Sequence, residues 1–164
     1  MLNAMVSPSP FMKTHAIPLP LNDANGLILS NDEKRSLLLK QRCDGMCKIS
    51  DLGERRDAYE GFIFCVEMNP SSIQTASPNI SDTMTSILFA IVAWHIPLGN
   101  MSPDLLHGKY NFQPFPQPYI ELAQQIGAFL HKLKEMLGHE VWAGVKRQLP
   151  VNVATLLRNQ YRLE

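Results

Sequence analysis

Between Tyr119 and Leu137 apolar residues recur every three or four positions, at Tyr119, Leu122, Ala123, Ile126, Phe129, Leu130, Leu133, Met136 and Leu137. That period places them on one face of an α-helix. Gly138 follows, where a left-handed C-cap takes a residue without a Cβ. A shorter pattern (Val141, Trp142, Val145, Leu149) ends at Pro150. A third (Val153, Leu156, Leu157, Tyr161) follows a candidate N-cap at Asn152. A short helix with one apolar side cannot bury that side alone, so these helices must stack on neighbours. The expectation is an all-α chain, and a piece of a stacked α-α superhelix that binds partners rather than transforming them.

The rest of the chain is read in the same way. Residues 1–29 carry Pro8, Pro10, Pro18 and Pro20 without apolar periodicity and read as irregular or disordered. Residues 30–96 read as HEAT-like helices. Ser30 and Glu33 have capping-box spacing ahead of a helix to about Arg42. Asp51 and Glu54 open a second helix through Leu52, Tyr59, Phe62, Ile63 and Val66, which Asn69-Pro70 stops. Ser71 to Ala76 has the makings of another. A short insertion near residues 77–86, with turn-forming and β-branched residues, separates it from the apolar helix Ser86 to His95. Residues 97–118, with seven Pro or Gly positions from Pro97 to Pro118, read as a Pro-rich loop. Residues 119–164 are the capping helices described above. Helix, break and helix recur at roughly forty-residue spacing, the range of HEAT and armadillo repeats.

Composition narrows the function classes. Net charge is zero, which gives no global pull toward nucleic acid or an anionic membrane. The run Ile87 to Trp94 is too short for a spanning helix of about 20 residues. No charged region followed by an apolar core opens the chain, which argues against a secretory signal. An odd number of cysteines, three, argues against a disulfide framework. Cys43, Cys47 and Cys65 lack paired zinc-ligand spacing, and His15, His95, His107, His131 and His139 are scattered. They read as small apolar thiols and surface imidazoles, so no metal or cofactor is expected. No G-x-S-x-G, H-E-x-x-H or phosphate loop occurs, so no enzyme is expected. Arg55-Arg56, Lys132 with Lys134, and Lys146-Arg147 lie beside Glu54, Asp57, Glu60 and Glu135, which reads as a solvated, ion-paired surface.

Two segments carry a family resemblance. Glu54 to Gln74 (ERRDAYEGFIFCVEMNPSSIQ) and Leu130 to Tyr161 (LHKLKEMLGHEVWAGVKRQLPVNVATLLRNQY) resemble the C-terminal end of transportin, the karyopherin-β2 class of the importin-β family. The match runs in order through Glu54 to Asp57, Tyr59 to Phe62 and Glu67 to Ser71. It continues through Ala90 to Trp94, Leu130-His131, Gly138 to Trp142, Leu149-Pro150 and Tyr161. These are packing motifs, and together they span about two terminal repeats. The stretches 77–86 and 108–125 depart from the family pattern.

The resemblance implies an armadillo-like helical nuclear import receptor in cytoplasm and nucleus, active in protein transport. Its partners would be protein cargo with a Pro-Tyr nuclear localisation signal and, for a full-length receptor, the small GTPase Ran. This chain has neither the N-terminal arch nor the acidic loop of such receptors, so Ran binding is not expected of it. The family holds import signals with concave-face tryptophans, which makes Trp94 and Trp142 the candidate cargo-facing residues. Their alternative role is core packing, which is expected of both, and of Trp142 between the terminal helices. The rival to the receptor reading is a free-standing helical protein–protein interaction module.

Overall fold

The computed structural model describes residues 30–74, 80–97 and 112–164. The reading of residues 1–29, and that of most of the Pro-rich stretch, falls outside them. Of the described residues 84% are helical and none forms a strand, so the fold is all-α.

Helix α1 spans Asn31–Lys48 and α2 spans Leu52–Met68. Both start where side-chain oxygens meet unpaired N–H groups. Glu33 N donates to Ser30 Oγ at 3.2 Å, while Ser30 N donates to Glu33 Oε2 at 2.8 Å, a complete capping box. Glu54 N donates to Asp51 Oδ1 at 2.8 Å. Helix α1 runs past the expected stop at Arg42. Its two buried residues, Cys43 and Met46, lie in that extension one turn apart. Leu38, by contrast, is 51% exposed. The end of α1 anchors it together with Leu39, which packs against the core.

A single turn, α3 (Ser71–Gln74), precedes α4 (Ile80–Val92). Helix α4 begins inside the stretch read as an insertion, which corrects that reading. Its hydroxyl residues are absorbed by the helix: Thr85 Oγ1 donates to Ser81 O at 2.8 Å and Ser86 Oγ to Asp82 O at 3.1 Å. Thr83 Oγ1 meets Ser36 Oγ of α1 at 2.8 Å. Thr83, Met84, Ile87, Leu88, Ala90, Ile91 and Val92 are buried, so α4 is a central helix with almost no solvent face. It ends in a 3-10 turn, Ala93–His95.

A second 3-10 turn, Gln117–Tyr119, leads into α5 (Ile120–Gln148), and α6 (Val151–Tyr161) follows. Helix α5 is broken once, at Gly138 (φ 78°, ψ 167°). The positive φ is the expected one, but this ψ belongs to a region essentially reserved for glycine and not to an αL cap. The chain bends there and resumes as helix at once, so there is no loop for an αL cap to feed. Asn152 is not the N-cap of α6. Pro150 holds that place, its carbonyl accepting from Ala154 N at 3.0 Å, and its fixed φ suits the position.

The helices pack on one another around α4. Helix α1 lies along α4, α2 lies against α5, and α4 packs on α5. Phe62 of α2 meets Phe129 of α5 edge to face with centroids 6.1 Å apart. Leu130, Val145, Val153, Leu156 and Leu157 close the core between the two halves of α5 and α6.

Substituting Gly138→Ala tests the break in α5. A Cβ there meets nothing within 4 Å, so the whole cost is backbone strain, ~1–3 kcal/mol. Chemical denaturation should show a lowered midpoint with an unchanged slope. A midpoint equal to wild type would mean the break tolerates any residue.

Candidate functional site

The two tryptophans singled out in the sequence lie in separate parts of the core, each 3% exposed. Trp142, on the second half of α5, donates its Nε1–H to the Glu164 carbonyl at 3.1 Å. Lys134 Nζ donates to the same oxygen at 2.9 Å. Trp142 therefore ties the residues after α6 back onto α5.

Trp94 stands at the end of α4 in an aromatic cluster. Phe115 stacks on it at 4.9 Å and 22°, Tyr59 meets it edge-on at 5.4 Å, and Tyr119 lies at 5.8 Å. The Arg55 guanidinium carbon sits 5.5 Å from the Trp94 ring centroid, a cation–π contact. Both indoles are packing groups in this chain.

The residues beside Trp94 hold the polar groups that the sequence reading placed at the surface. Arg55 is not on a solvated face; it is 2% exposed. Its Nη2 donates to Cys47 O at 2.8 Å and its Nη1 to Ala93 O at 3.4 Å. Those carbonyls terminate α1 and α4, and each helix C-terminus carries roughly half a negative charge. Two helix ends thus stand in for a carboxylate. Its neighbour Arg56 behaves as expected, pairing with Asp57 at 2.7 Å and reaching Glu60 at 4.0 Å. Among the described residues, Arg55 Nε and Trp94 Nε1 are buried without a hydrogen-bond partner. A residue at position i of α2 faces the core while i+1 faces water, a distinction that the dipeptide Arg55-Arg56 does not reveal by itself.

His95 is likewise not a surface imidazole, being fully buried. Its Nδ1 lies 2.8 Å from the Gln113 carbonyl and its Nε2 lies 2.8 Å from the Tyr161 hydroxyl. A carbonyl only accepts, so Nδ1 carries the proton and the neutral ring accepts from Tyr161 at Nε2. Gln113 N donates in turn to His95 O at 2.8 Å, clasping the segment before α5 onto α4. Burial pushes the imidazole below its ordinary range, and the Gln113 hydrogen bond only partly opposes this. Burial also lifts the Tyr161 phenol.

The thiols of Cys43 and Cys47 are held protonated. Burial pushes Cys43 up to about 12, and burial raises Cys47 too, with Arg55 opposing. A nucleophilic cysteine needs the reverse, a depressed thiol in a polar setting. Among the described residues no group of three His, Cys, Asp or Glu could hold a metal ion, and no helix is long and apolar enough to cross a membrane.

Surface grooves lie among the described residues. One of about 540 Å³ is bounded by Phe115, Gln124 and Tyr161, and one of about 480 Å³ by Lys40, Asp82 and Gln148. A smaller one of about 220 Å³ lies between α2 and α5, where Lys132 pairs with Glu67. Compared with known protein families, curated proteins and solved structures, the chain matches none.

Two outcomes follow. Trp142→Ala empties a large aromatic site and should cost ~3–5 kcal/mol in urea unfolding; a loss under about 1 kcal/mol would mean that the indole is not a core group. His95 has a folded pKa below its ordinary 6.5, so the unfolded chain binds the proton more readily. Its contribution is complete above pH 6.5 and is lost as pH falls below that value, by at most ~1.4 kcal/mol per pH unit. His95→Gln should flatten this slope. An identical slope in the variant would assign the acid sensitivity to other groups.

Proposed function

We propose that this chain is a segment of a HEAT-like α-solenoid that holds protein partners, the C-terminal portion of a transportin-type nuclear import receptor. The observation that carries this reading is the stacking order. Helices α1 and α2, joined by residues 49–51, lie on α4 and α5, and α6 continues beyond. Among the described elements, no substantial contact joins the first helix to the last, which suits an open-ended array better than a bundle that closes on itself. Phe64 at 63% and Met68 at 71% exposure stand one turn apart on α2, and Leu38 of α1 is exposed too. Apolar side chains uncovered on the first helix pair suit a solenoid with a further repeat packed there, and Ile120 of α5 and Val151 of α6 are exposed as well. The motif order from Glu54 to Tyr161 supports the same family.

On this reading the segment closes the receptor's last apolar face, with Trp94 and Trp142 serving as packing groups. Cargo with a Pro-Tyr signal is then held by the receptor's C-terminal arch, in cytoplasm and nucleus. Ran contacts the opposite arch, and neither nucleic acid nor a membrane is a partner. The rival module reading needs a closed apolar surface on α1 and α2, which Phe64 and Met68 do not favour.

The experiment is a pull-down of the recombinant chain with a Pro-Tyr signal peptide and, in parallel, GTP-loaded Ran, with circular dichroism as the folding control. We expect a helical spectrum, capture of the peptide and no capture of Ran. Capture of Ran would place the chain at the other end of a receptor. A helical chain that takes neither would mean that the segment caps the solenoid without holding cargo itself.

A further inference from the structure

We propose that the 540 Å³ groove beside α5 and the end of α6 binds an extended segment of another protein through a carboxylate side chain. This stands on the groove's own lining and does not require the receptor reading. Its volume is within the roughly 300–1,000 Å³ of ligand-holding clefts. The floor is aromatic, from Phe115 at 5% and Tyr161 at 6% exposure, and it is made rigid from beneath by the His95 hydrogen bond to Tyr161.

The rim selects the partner's backbone state. Gln124 of α5 and Gln160 of α6 are exposed on it, and no hydrogen bond engages either side chain among the described residues. Each amide offers donors and an acceptor together, the complement of an unpaired peptide group. A helical partner has already satisfied its own backbone, so these amides fit an extended one.

The charge selects the side chain. No Asp or Glu stands in the lining, and Arg162 is its one permanently charged group. Among the described residues Arg162 has no ion-pair partner. A guanidinium offers a planar fork of donors that matches a carboxylate. The other titratable groups in the lining add no negative charge: His95 and Tyr161 are hydrogen-bonded to each other, and His131 donates Nε2–H to Tyr161 O at 3.0 Å. Arg162 also holds a left-handed conformation (φ 54°, ψ 35°) at the C-cap of α6, where glycine is less strained.

That last feature supplies the test. Fluorescence anisotropy would follow a fluorescein-labelled peptide of repeated Asp-Val-Thr, with repeated Lys-Val-Thr as its counterpart, against wild type, Arg162→Gly and Gln124→Ala/Gln160→Ala. The acidic peptide should bind and the basic one should not. Arg162→Gly should weaken binding about tenfold, as loss of one charge-assisted hydrogen bond does, while melting no lower than wild type. A variant that binds worse yet is at least as stable excludes unfolding as the cause. The double glutamine variant should also weaken binding of the acidic peptide, and unaltered binding by it would remove the extended-backbone part of the proposal. Equal binding of the basic peptide, or unaltered binding by Arg162→Gly, would overturn the proposal.

Discussion

The imidazole of His95 is buried with both ring nitrogens engaged, one by the Gln113 carbonyl and one by the Tyr161 hydroxyl. Because Gln113 precedes α5 and Tyr161 ends α6, this one neutral ring joins the end of α4 to two later parts of the chain. The two preceding residues extend the joint. Trp94 stacks on Phe115 and meets Tyr59 of α2, and the Ala93 carbonyl receives Arg55. Arg55 then reaches the last turn of α1 through Cys47 O. A 3-10 turn of three residues therefore ties α1, α2, α6 and the segment ahead of α5 to the central helix.

Such a joint orients helices that hydrophobic contact alone leaves free to slide. Burial of Ile, Leu and Phe is non-directional; a hydrogen bond to a carbonyl is not, and in a low-dielectric interior its loss is costly. The same burial favours the neutral forms of the groups it encloses. Cys43 and Cys47 are kept as thiols and His95 as a neutral ring, so these groups serve packing and register. The surface carries the features suited to partners: apolar Phe64 and Met68 on the first helix pair, and a groove with an aromatic floor under Gln124, Gln160 and Arg162.

Much of the helical layout was legible in the residues because its determinants are local. Ser30 with Glu33, Asp51 with Glu54, and Asn69-Pro70 mark helix ends by chemistry within one turn. The apolar period from Leu122 to Leu133 marks the buried face of α5 in the same way. Gly138 announced a positive φ, although not the ψ that lets two helices abut. Two boundaries were misread for a shared reason. Helix α1 outlasts Arg42 because Cys43 and Met46 find a place in the core, and α4 starts at Ile80 because its hydroxyls find carbonyls one turn back. Each compensation becomes visible only when the partner is in place.

The sequence by itself determined the all-α class, the main helix starts and the glycine break, because capping, helical periodicity and backbone sterics act over three or four residues. Only the tertiary structure decided that Arg55 and His95 lie inside while Arg56 lies outside. Adjacent residues on a helix differ by about a third of a turn, and which side meets the core depends on neighbours many residues away. The same holds for the groove, whose aromatic floor and polar rim come from the segment before α5, from α5 itself and from the end of α6. Those elements share no local signal, and their meeting is set by the core that His95 and Trp94 help to lock.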